Sequence, residues 1–317
     1  MPINNTRDPA PDGKVEQQEV KARSPWRDTL SALPWLTPVL VLIFGVVAFP
    51  TGIMIYNSMR KISKSGVDKG FIGGDNYALI FSRPELPRVL LNTVIWVVVV
   101  VAVTIVLSLL LAQLLDKAFP GRRLVRLAVI IPWAASVIMT TTVAYYALEP
   151  RLGIINKMLY SLGITSSDQV GFTKTATSAF IVAIVIAIFV SLPFTTYTIL
   201  AGLQAVPRDV LEAAQIDGAG RFRTYFSVVL PQLRSAVATA TVINIINVFN
   251  SLPILRTITG QVPGNNADTT TTLIFKIIKS ERHIDWASAL SVVNFIIVII
   301  IIAIYTAVVK PMKQVDD

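Results

Sequence analysis

Residues 203–234 of the chain are LQAVPRDVLEAAQIDGAGRFRTYFSVVLPQLR, a polar, charged interruption between two long apolar segments. Pro207 can occupy the first position of a helix, where its missing N–H costs nothing, and Asp209 then falls in the first turn, where a helix N-terminus favours negative charge. Asp217-Gly218 ends that helix, because glycine is the usual residue past a helix end. A second short helix follows. We therefore predict a helix–turn–helix at a membrane surface, and we call residues 203–234 the motif loop.

The centre of the motif loop carries almost no side-chain bulk. Its small residues are Ala213, Ala214, Gly218, Ala219 and Gly220. A ridge of this kind lets another backbone approach closely. Composition alone leaves two interpretations open, namely contact with another protein and packing against the chain's own helices.

The composition of the whole chain is that of a polytopic membrane protein. Of its 317 residues, 53% are hydrophobic and only 15% are charged, far outside ordinary globular usage. The absence of cysteine excludes disulfides, thiol nucleophiles and Cys-based metal sites, and a single histidine excludes a His-cluster metal site. The net charge of +9 comes from basic residues that flank apolar runs, so anionic lipid headgroups, rather than nucleic acid, are the expected partner.

Six apolar runs free of Asp, Glu, Lys and Arg predict six membrane-spanning helices. Each run has 20 or more residues, so at about 1.5 Å per residue each can cross a hydrocarbon layer of about 30 Å. Because backbone groups in lipid must be satisfied internally, helices are favoured over strands. The predicted spans are about 34–56, 89–115, 127–148, 175–200, 235–255 and 286–309.

The N-terminal stretch differs from the rest in composition. Residues 1–30 are polar, mixed in charge and contain prolines, which predicts a disordered tail rather than a signal peptide. Residues 31–317 are predicted to form one transmembrane domain. Six spans place both termini on the same side of the membrane, but the Lys/Arg bias of the loops does not decide which side, since the loop 57–88 alone holds six of these residues.

The spacing of the motif loop resembles the "EAA" loop of the permease subunits of binding-protein-dependent ABC importers. That motif is Glu-Ala-Ala, two residues, Asp-Gly-Ala, eight residues, then Ile-x-Leu-Pro. The corresponding residues in this chain are Glu212-Ala213-Ala214, Asp217-Gly218-Ala219 and Val228-Val229-Leu230-Pro231. The stretch LAGLQAVPRDVLEAA before it is similar to the carbohydrate-uptake, maltose-type branch.

This resemblance implies an all-α fold, the type I ABC importer permease fold, with six spans and a cytoplasmic coupling helix–turn–helix. It implies a heterodimer with a second permease subunit, two ATPase subunits that bind ATP and Mg²⁺, and an extracytoplasmic solute-binding protein. It places the motif loop and both termini in the cytoplasm of a cell-membrane protein. The residues expected to couple to the ATPase are Glu212, Ala213, Ala214, Asp217, Gly218 and Arg221.

Polar residues at membrane depth indicate where substrate could cross. In the fifth span Asn244, Asn247 and Ser251 share one helical face, with Asn250 nearby. Neutral amides donate and accept hydrogen bonds, which suits a hydroxyl-rich ligand. The alternative is hydrogen bonding between helices. We predict a substrate pathway that includes these four residues together with Tyr145 and Thr196.

The expected substrate is a sugar, such as a di- or oligosaccharide, and a glycerol-phosphate-type or other polar solute is the alternative. The chain has no ATP-binding loop of its own and no acid, Lys or His inside the predicted spans, which argues against an enzyme and against a proton-coupled carrier. A sodium-coupled carrier remains conceivable, but the motif loop would then have no stated purpose. No cofactor or metal is expected on this chain.

Overall fold

The computed structural model describes residues 25–260, 262 and 264–309, with side chains from residue 34 onward except that of Pro132. Most of the predicted tail, residues 1–24, and the last eight residues lie outside this part of the chain. The described residues divide into two units, one within residues 25–52 and the other within residues 53–309. The first contains helix α1 (Pro25–Leu42), a π-helical segment (Ile43–Ala48) and the start of α2 (Phe49–Ser58).

Four described helices are long and apolar enough to cross a membrane, and a bent pair supplies a fifth crossing if it is counted as one span. The long helices are Pro34–Ser58, α4 (Leu86–Asp116), α8 (Ala176–Gln204) and α15 (Ile284–Val309). They cover four of the six predicted spans with bounds close to those expected. The prediction of a helical, polytopic membrane protein is therefore confirmed, whereas the described helices do not establish a count of six continuous spans.

The third predicted span, 127–148, is wrong as a continuous helix. It consists of α5 (Arg122–Ala134) and α6 (Val137–Ala147). Between them Ala135 and Ser136 have extended backbone conformations. The break comes three residues after Pro132, whose missing N–H removes one helical hydrogen bond.

The fifth predicted span, 235–255, is also interrupted. Helix α12 (Arg234–Phe249) ends at Asn250, and α13 (Leu252–Thr259) begins after Ser251. Sixteen residues of α12 extend only about 24 Å at 1.5 Å per residue. Pro253 lies in the first turn of α13, where its missing N–H costs nothing.

Helices α4 and α8 run parallel at the centre of the second unit. The rings of Trp96 and Phe180 have centroids 6.0 Å apart, and Thr196 donates to Ser108 Oγ at 3.2 Å. The residue numbers of the contacting residues therefore increase in the same direction along both helices, which makes the helices parallel. Helix α12 runs the other way, because Ala236 near its start lies against Gly202 near the end of α8.

These directions give the second unit two distinct ends. The starts of α4 and α15 share one hydrophobic cluster, so residues 59–85 and 264–285 lie together at what we call the hairpin end. The ends of α4 and α8 meet residues of the motif loop in another cluster, and we call this the loop end. The remaining short helices are α3 (Asp75–Phe81), α7 (Ile154–Ser161) and α14 (Thr270–Lys276), which continues as a π-helical segment (Ile277–Glu281).

The hairpin end contains a small antiparallel hairpin that the sequence did not predict. Strands β1 (Arg60–Ile62) and β2 (Asp68–Phe71) pair Arg60 with Phe71 and Ile62 with Asp68. Arg60 Nε lies 2.7 Å from Asp68 Oδ2, and this ion pair with the guanidinium holds the pKa of the Asp68 carboxyl below its usual range. Strands of three and four residues are too short to produce a clear alternation of apolar and polar residues.

Candidate functional site

A cavity of about 400 Å³ lies where the two broken helices meet the middle of α8. Ser191, near the centre of this 29-residue helix, is part of its wall. The other lining residues are Trp133, Val137, Ala187, Val190, Phe194, Ile243, Asn244, Asn247, Val248, Asn250, Ser251, Pro253 and Ile254. The lining contains several amide and hydroxyl groups and no ionisable side chain.

The break between α12 and α13 is held open by side chains from other elements. Trp96 Nε1 donates to the Val248 carbonyl at 2.8 Å, and Thr271 Oγ1 donates to the Phe249 carbonyl at 2.9 Å. The end of a helix leaves such carbonyls without their regular helical partners, and the Val248 carbonyl also accepts the Ser251 N–H at 3.2 Å. Because they are satisfied from outside, the helix can end at membrane depth and expose Asn250 and Ser251 at the cavity.

Asn244 is buried and packs between helices. Its Nδ2 donates to Thr195 Oγ1 at 2.6 Å and to the Ala240 carbonyl at 3.1 Å. Although its side chain reaches the cavity wall, these bonds join α12 to α8. The geometry of Asn244 therefore matches the interhelical alternative.

Asn247 and Asn250 differ from Asn244 because both side chains are exposed. Asn250 Nδ2 donates to the Ile246 carbonyl at 3.0 Å, and Asn247 has no hydrogen-bond partner within the described chain. An amide without partners is costly in lipid. These two groups, together with Ser251, can therefore serve a polar molecule, water or a partner chain in the cavity.

Two residues of the predicted pathway lie elsewhere. Thr196 is fully buried and bonded to Ser108 between α8 and α4. Tyr145 packs against the central hydrophobic cluster and meets Tyr146 edge to face, with centroids 5.6 Å apart. The structure does not bring either side chain to the cavity.

The cavity wall includes residues that the predicted set omitted. Phe194 and Ile254 are apolar, and nothing in their spacing separates them from ordinary core residues. Ser191 and Trp133 carried a weak signal, since Trp133 is an amphipathic residue that follows Pro132 and Ser191 is a polar residue two positions before Pro193. The helix breaks, rather than the residue types, bring these side chains together.

The motif loop forms the predicted helix–turn–helix. Helix α9 (Arg208–Ile216) is followed by α10 (Arg221–Thr224), a π-helical segment (Tyr225–Val229) and α11 (Leu230–Gln232), which meets α12 at 65°. Pro207 is extended and precedes the helix instead of occupying its first position. Asp217 ends α9, and Gly218 has a φ of +74°, a conformation that side chains with a Cβ disfavour.

The predicted coupling residues lie mostly on the outside of the motif loop. Ala214 is buried, whereas Glu212, Ala213, Asp217, Gly218 and Arg221 are exposed. Glu212 and Arg221 have no ion-pair partner within the described residues. Two large apolar side chains accompany them, Ile216 at 86% exposure and Phe222 at 84%.

The loop is firmly seated on the bundle. Val229 and Leu233 are buried in one cluster with Leu115 of α4 and Ile199 of α8. The loop is therefore packed directly against the ends of both central helices. Exposed apolar side chains above a ridge of small residues form a surface suited to protein contact.

Comparison with known proteins gives a consistent result. The family model described as "Binding-protein-dependent transport system inner membrane component" matches residues 104–312. A probable ABC transporter permease protein of Brucella suis biovar 1 is 31% identical over 88% of this chain and 96% of its own length. The trehalose/maltose transport system permease protein MalF of Thermococcus litoralis is 30% identical over 88% of this chain and 92% of its own length.

The fold is also that of solved importers. The structure of a bacterial ABC transporter involved in the import of the acidic polysaccharide alginate superposes with a TM-score of 0.78, at 20% identity, covering 91% of this chain and 99% of that chain. The resemblance carried by the motif loop is thus confirmed, and the relatives are transport components rather than enzymes. The chain belongs to the family of binding-protein-dependent transport system inner membrane components.

Proposed function

We propose that this chain is one of two membrane subunits of an ATP-driven importer and that it passes a neutral sugar, such as a di- or oligosaccharide, through the cavity beside α8. The observation that carries this proposal is the lining of that cavity, which combines exposed amides with an aromatic side chain and contains no charge. The trehalose/maltose permease among the relatives supports the same class of substrate.

The chemistry of the lining favours sugars over phosphorylated solutes. Amides at Asn247 and Asn250 offer both donors and acceptors to hydroxyl groups, and the exposed ring of Trp133 can lie against a sugar ring. A phosphate would need a cation to offset its desolvation. Since no lining residue is cationic, a glycerol-phosphate-type substrate is disfavoured.

The motif loop is proposed to dock in a groove of a cytoplasmic ATPase. Its small residues would allow close approach, Ile216 and Phe222 would be buried on docking, and Glu212 and Arg221 would find partners there. Two ATPase copies would bind ATP and Mg²⁺, and their closure would pull on the ends of α4 and α8. The loop end is then cytoplasmic, together with both termini, and the hairpin end is extracytoplasmic, where a solute-binding protein delivers substrate.

The test is uptake by the whole complex in proteoliposomes, made of this chain, a second permease subunit, two ATPases and the solute-binding protein. Uptake of the saccharide carried by that binding protein should require ATP on the ATPase side. A phosphorylated derivative of the same saccharide should not be transported. Transport by the membrane subunits without the ATPase, or preferential transport of the phosphorylated compound, would contradict the proposal.

A further inference from the structure

The hairpin end contains a second cavity, of about 410 Å³, that the proposed function does not use. It is enclosed by the β-hairpin, helix α3 and the start of α15. Lys61, Lys64 and Lys69 lie around it, and Asn76, His283 and Trp286 form part of its wall. It is separate from the substrate cavity and shares no lining residue with it.

The charges around this cavity, which we call the lysine cavity, are predominantly positive. All three lysines are exposed and have no acidic partner within the described chain. The neighbouring Asp285 is buried, and its oxygens accept the N–H groups of Ile62 at 3.2 Å and Trp286 at 3.0 Å. Asp75, at the rim, is the other carboxylate in the lining, so the lysines retain an excess of positive charge.

One residue in the wall has a buried polar atom that lacks a partner within the described chain. Asn76 is fully buried, and its Nδ2 donates to the carbonyls of Ser58 and Arg60, both at 2.9 Å, which fixes the amide orientation and leaves Oδ1 unpaired. His283 Nδ1 makes no hydrogen bond but lies 3.5 Å from Asp285 Oδ1, so it already has an acidic neighbour, and its ring stacks on Trp286 with centroids 3.8 Å apart. A buried acceptor without a partner is unfavourable, so a group that brings an N–H or O–H donor to Asn76 Oδ1 would be stabilised there.

We propose that the lysine cavity receives an acidic loop of the solute-binding protein, with an Asp or Glu side chain between the lysines and a backbone N–H directed at Asn76 Oδ1. This inference rests on the proposed function, which places the hairpin end outside the membrane. A protein loop carries both carboxylates and N–H donors, whereas a bare phosphate or sulfate carries only acceptors. Docking also accounts for the many Lys/Arg residues in a loop that would face outward against the usual charge bias.

The experiment uses the full complex in proteoliposomes and measures the concentration of solute-binding protein that gives half-maximal ATPase stimulation. In the triple variant Lys61→Glu, Lys64→Glu, Lys69→Glu this concentration should rise about tenfold or more, because reversed charges slow association and add repulsion. The maximal ATPase rate at saturating binding protein should stay near that of the unaltered complex. Added salt should reduce the difference in half-maximal concentration between the triple variant and the unaltered complex. Lys174→Glu, exposed elsewhere at the same end, is the matched control and should have little effect.

A reversal of the charge on the binding protein gives an independent check. Replacing the contacting acidic residue of its docking loop with Lys should restore the response of the triple variant. An unchanged half-maximal concentration in the triple variant would overturn the docking inference alone. If the triple variant raises the half-maximal concentration only in vesicles that contain anionic lipid, the lysines contact lipid headgroups, and the docking inference is again overturned. If no binding protein stimulates the ATPase of the unaltered complex, both the docking inference and the proposed function are overturned.

Discussion

At the scale of single residues, three asparagines on one helix have different surroundings. Asn244 is bonded to Thr195 across the helix interface, whereas Asn247 and Asn250 are exposed at the cavity. Spacing alone grouped Asn244 and Asn247 on one face and could not distinguish them. The difference arises because Asn244 lies against Thr195 of α8, whereas Asn247 and Asn250 lie nearer the break and are exposed at the cavity.

This difference predicts opposite outcomes for equivalent substitutions. The double variant Asn247→Leu, Asn250→Leu should reach the membrane in normal amounts and lose most uptake, because it removes groups that face the cavity. Asn244→Leu should lower the amount of folded protein, since losing its hydrogen bonds and leaving Thr195 without this partner costs about 1–3 kcal/mol. Membrane abundance and uptake are measured in parallel, and loss of the double variant from the membrane would assign all three residues to packing.

A second residue-scale prediction concerns the contact between α8 and α12. A Cβ atom added at Gly202 would overlap Ala236 Cβ, so one of the two helices would have to shift. Gly202→Val should therefore destabilise the protein by about 1–3 kcal/mol through overpacking. Thermal unfolding in detergent measures the effect. Ala201→Val on the exposed side of the same helix is the control, and equal stability of the two variants would show that the close approach is not required.

At the scale of elements, the motif loop is the part whose structure followed most directly from sequence. Its two short helices, the stop at Asp217 and the turn at Gly218 were predicted from local chemistry. Pro207 was misplaced by one residue, because proline is compatible both with the first helical position and with the extended residue before it. Local signals fix where a helix ends more closely than where it begins.

Pro132 and Pro253 favour kinks in these spans, but the complete helix breaks at Ala135–Ser136 and Asn250–Ser251 were not predicted. Both lie in uncharged apolar runs, and hydropathy detects the run without detecting an interruption. The break in the fifth span depends on Trp96 and Thr271, which are distant in sequence and cap its free carbonyls. The cavity forms at these breaks. The sequence could therefore suggest which polar residues lie at membrane depth, but it could not show which of them line the same cavity.

The motif loop offers a prediction for an element as a whole. Ala213→Leu adds bulk to the exposed ridge of α9 without straining the helix, because leucine is a good helix former. We expect normal membrane insertion, with weakened ATPase association and a loss of most ATP-driven uptake. Co-purification of the ATPase with the permease measures association. Ser161→Leu, an exposed position on α7 at the hairpin end, is the control, and full activity of Ala213→Leu would remove the docking role of the ridge.

At the scale of the whole molecule, the two ends must face opposite sides of the membrane. The parallel course of α4 and α8 carries the chain from the hairpin end to the loop end twice, and α12 returns toward the hairpin end. The sequence has no cysteine, so single cysteines can be placed without removing native ones. Asp217→Cys should react with a membrane-impermeant maleimide only in inside-out vesicles, and Lys64→Cys only in intact spheroplasts. Labelling of both from one side would reject the proposed topology.

The motif loop is proposed to transmit closure of an ATPase to the cavity beside α8. The most direct measurement is the accessibility of Asn247→Cys in the reconstituted complex, with a membrane-impermeant thiol reagent applied from each side. Without nucleotide the cysteine should react from the loop end, and with the ATPase trapped closed by ATP and vanadate it should react from the hairpin end. Adding Ala213→Leu should abolish this change. Identical reactivity in both nucleotide states of the unaltered loop would contradict the account.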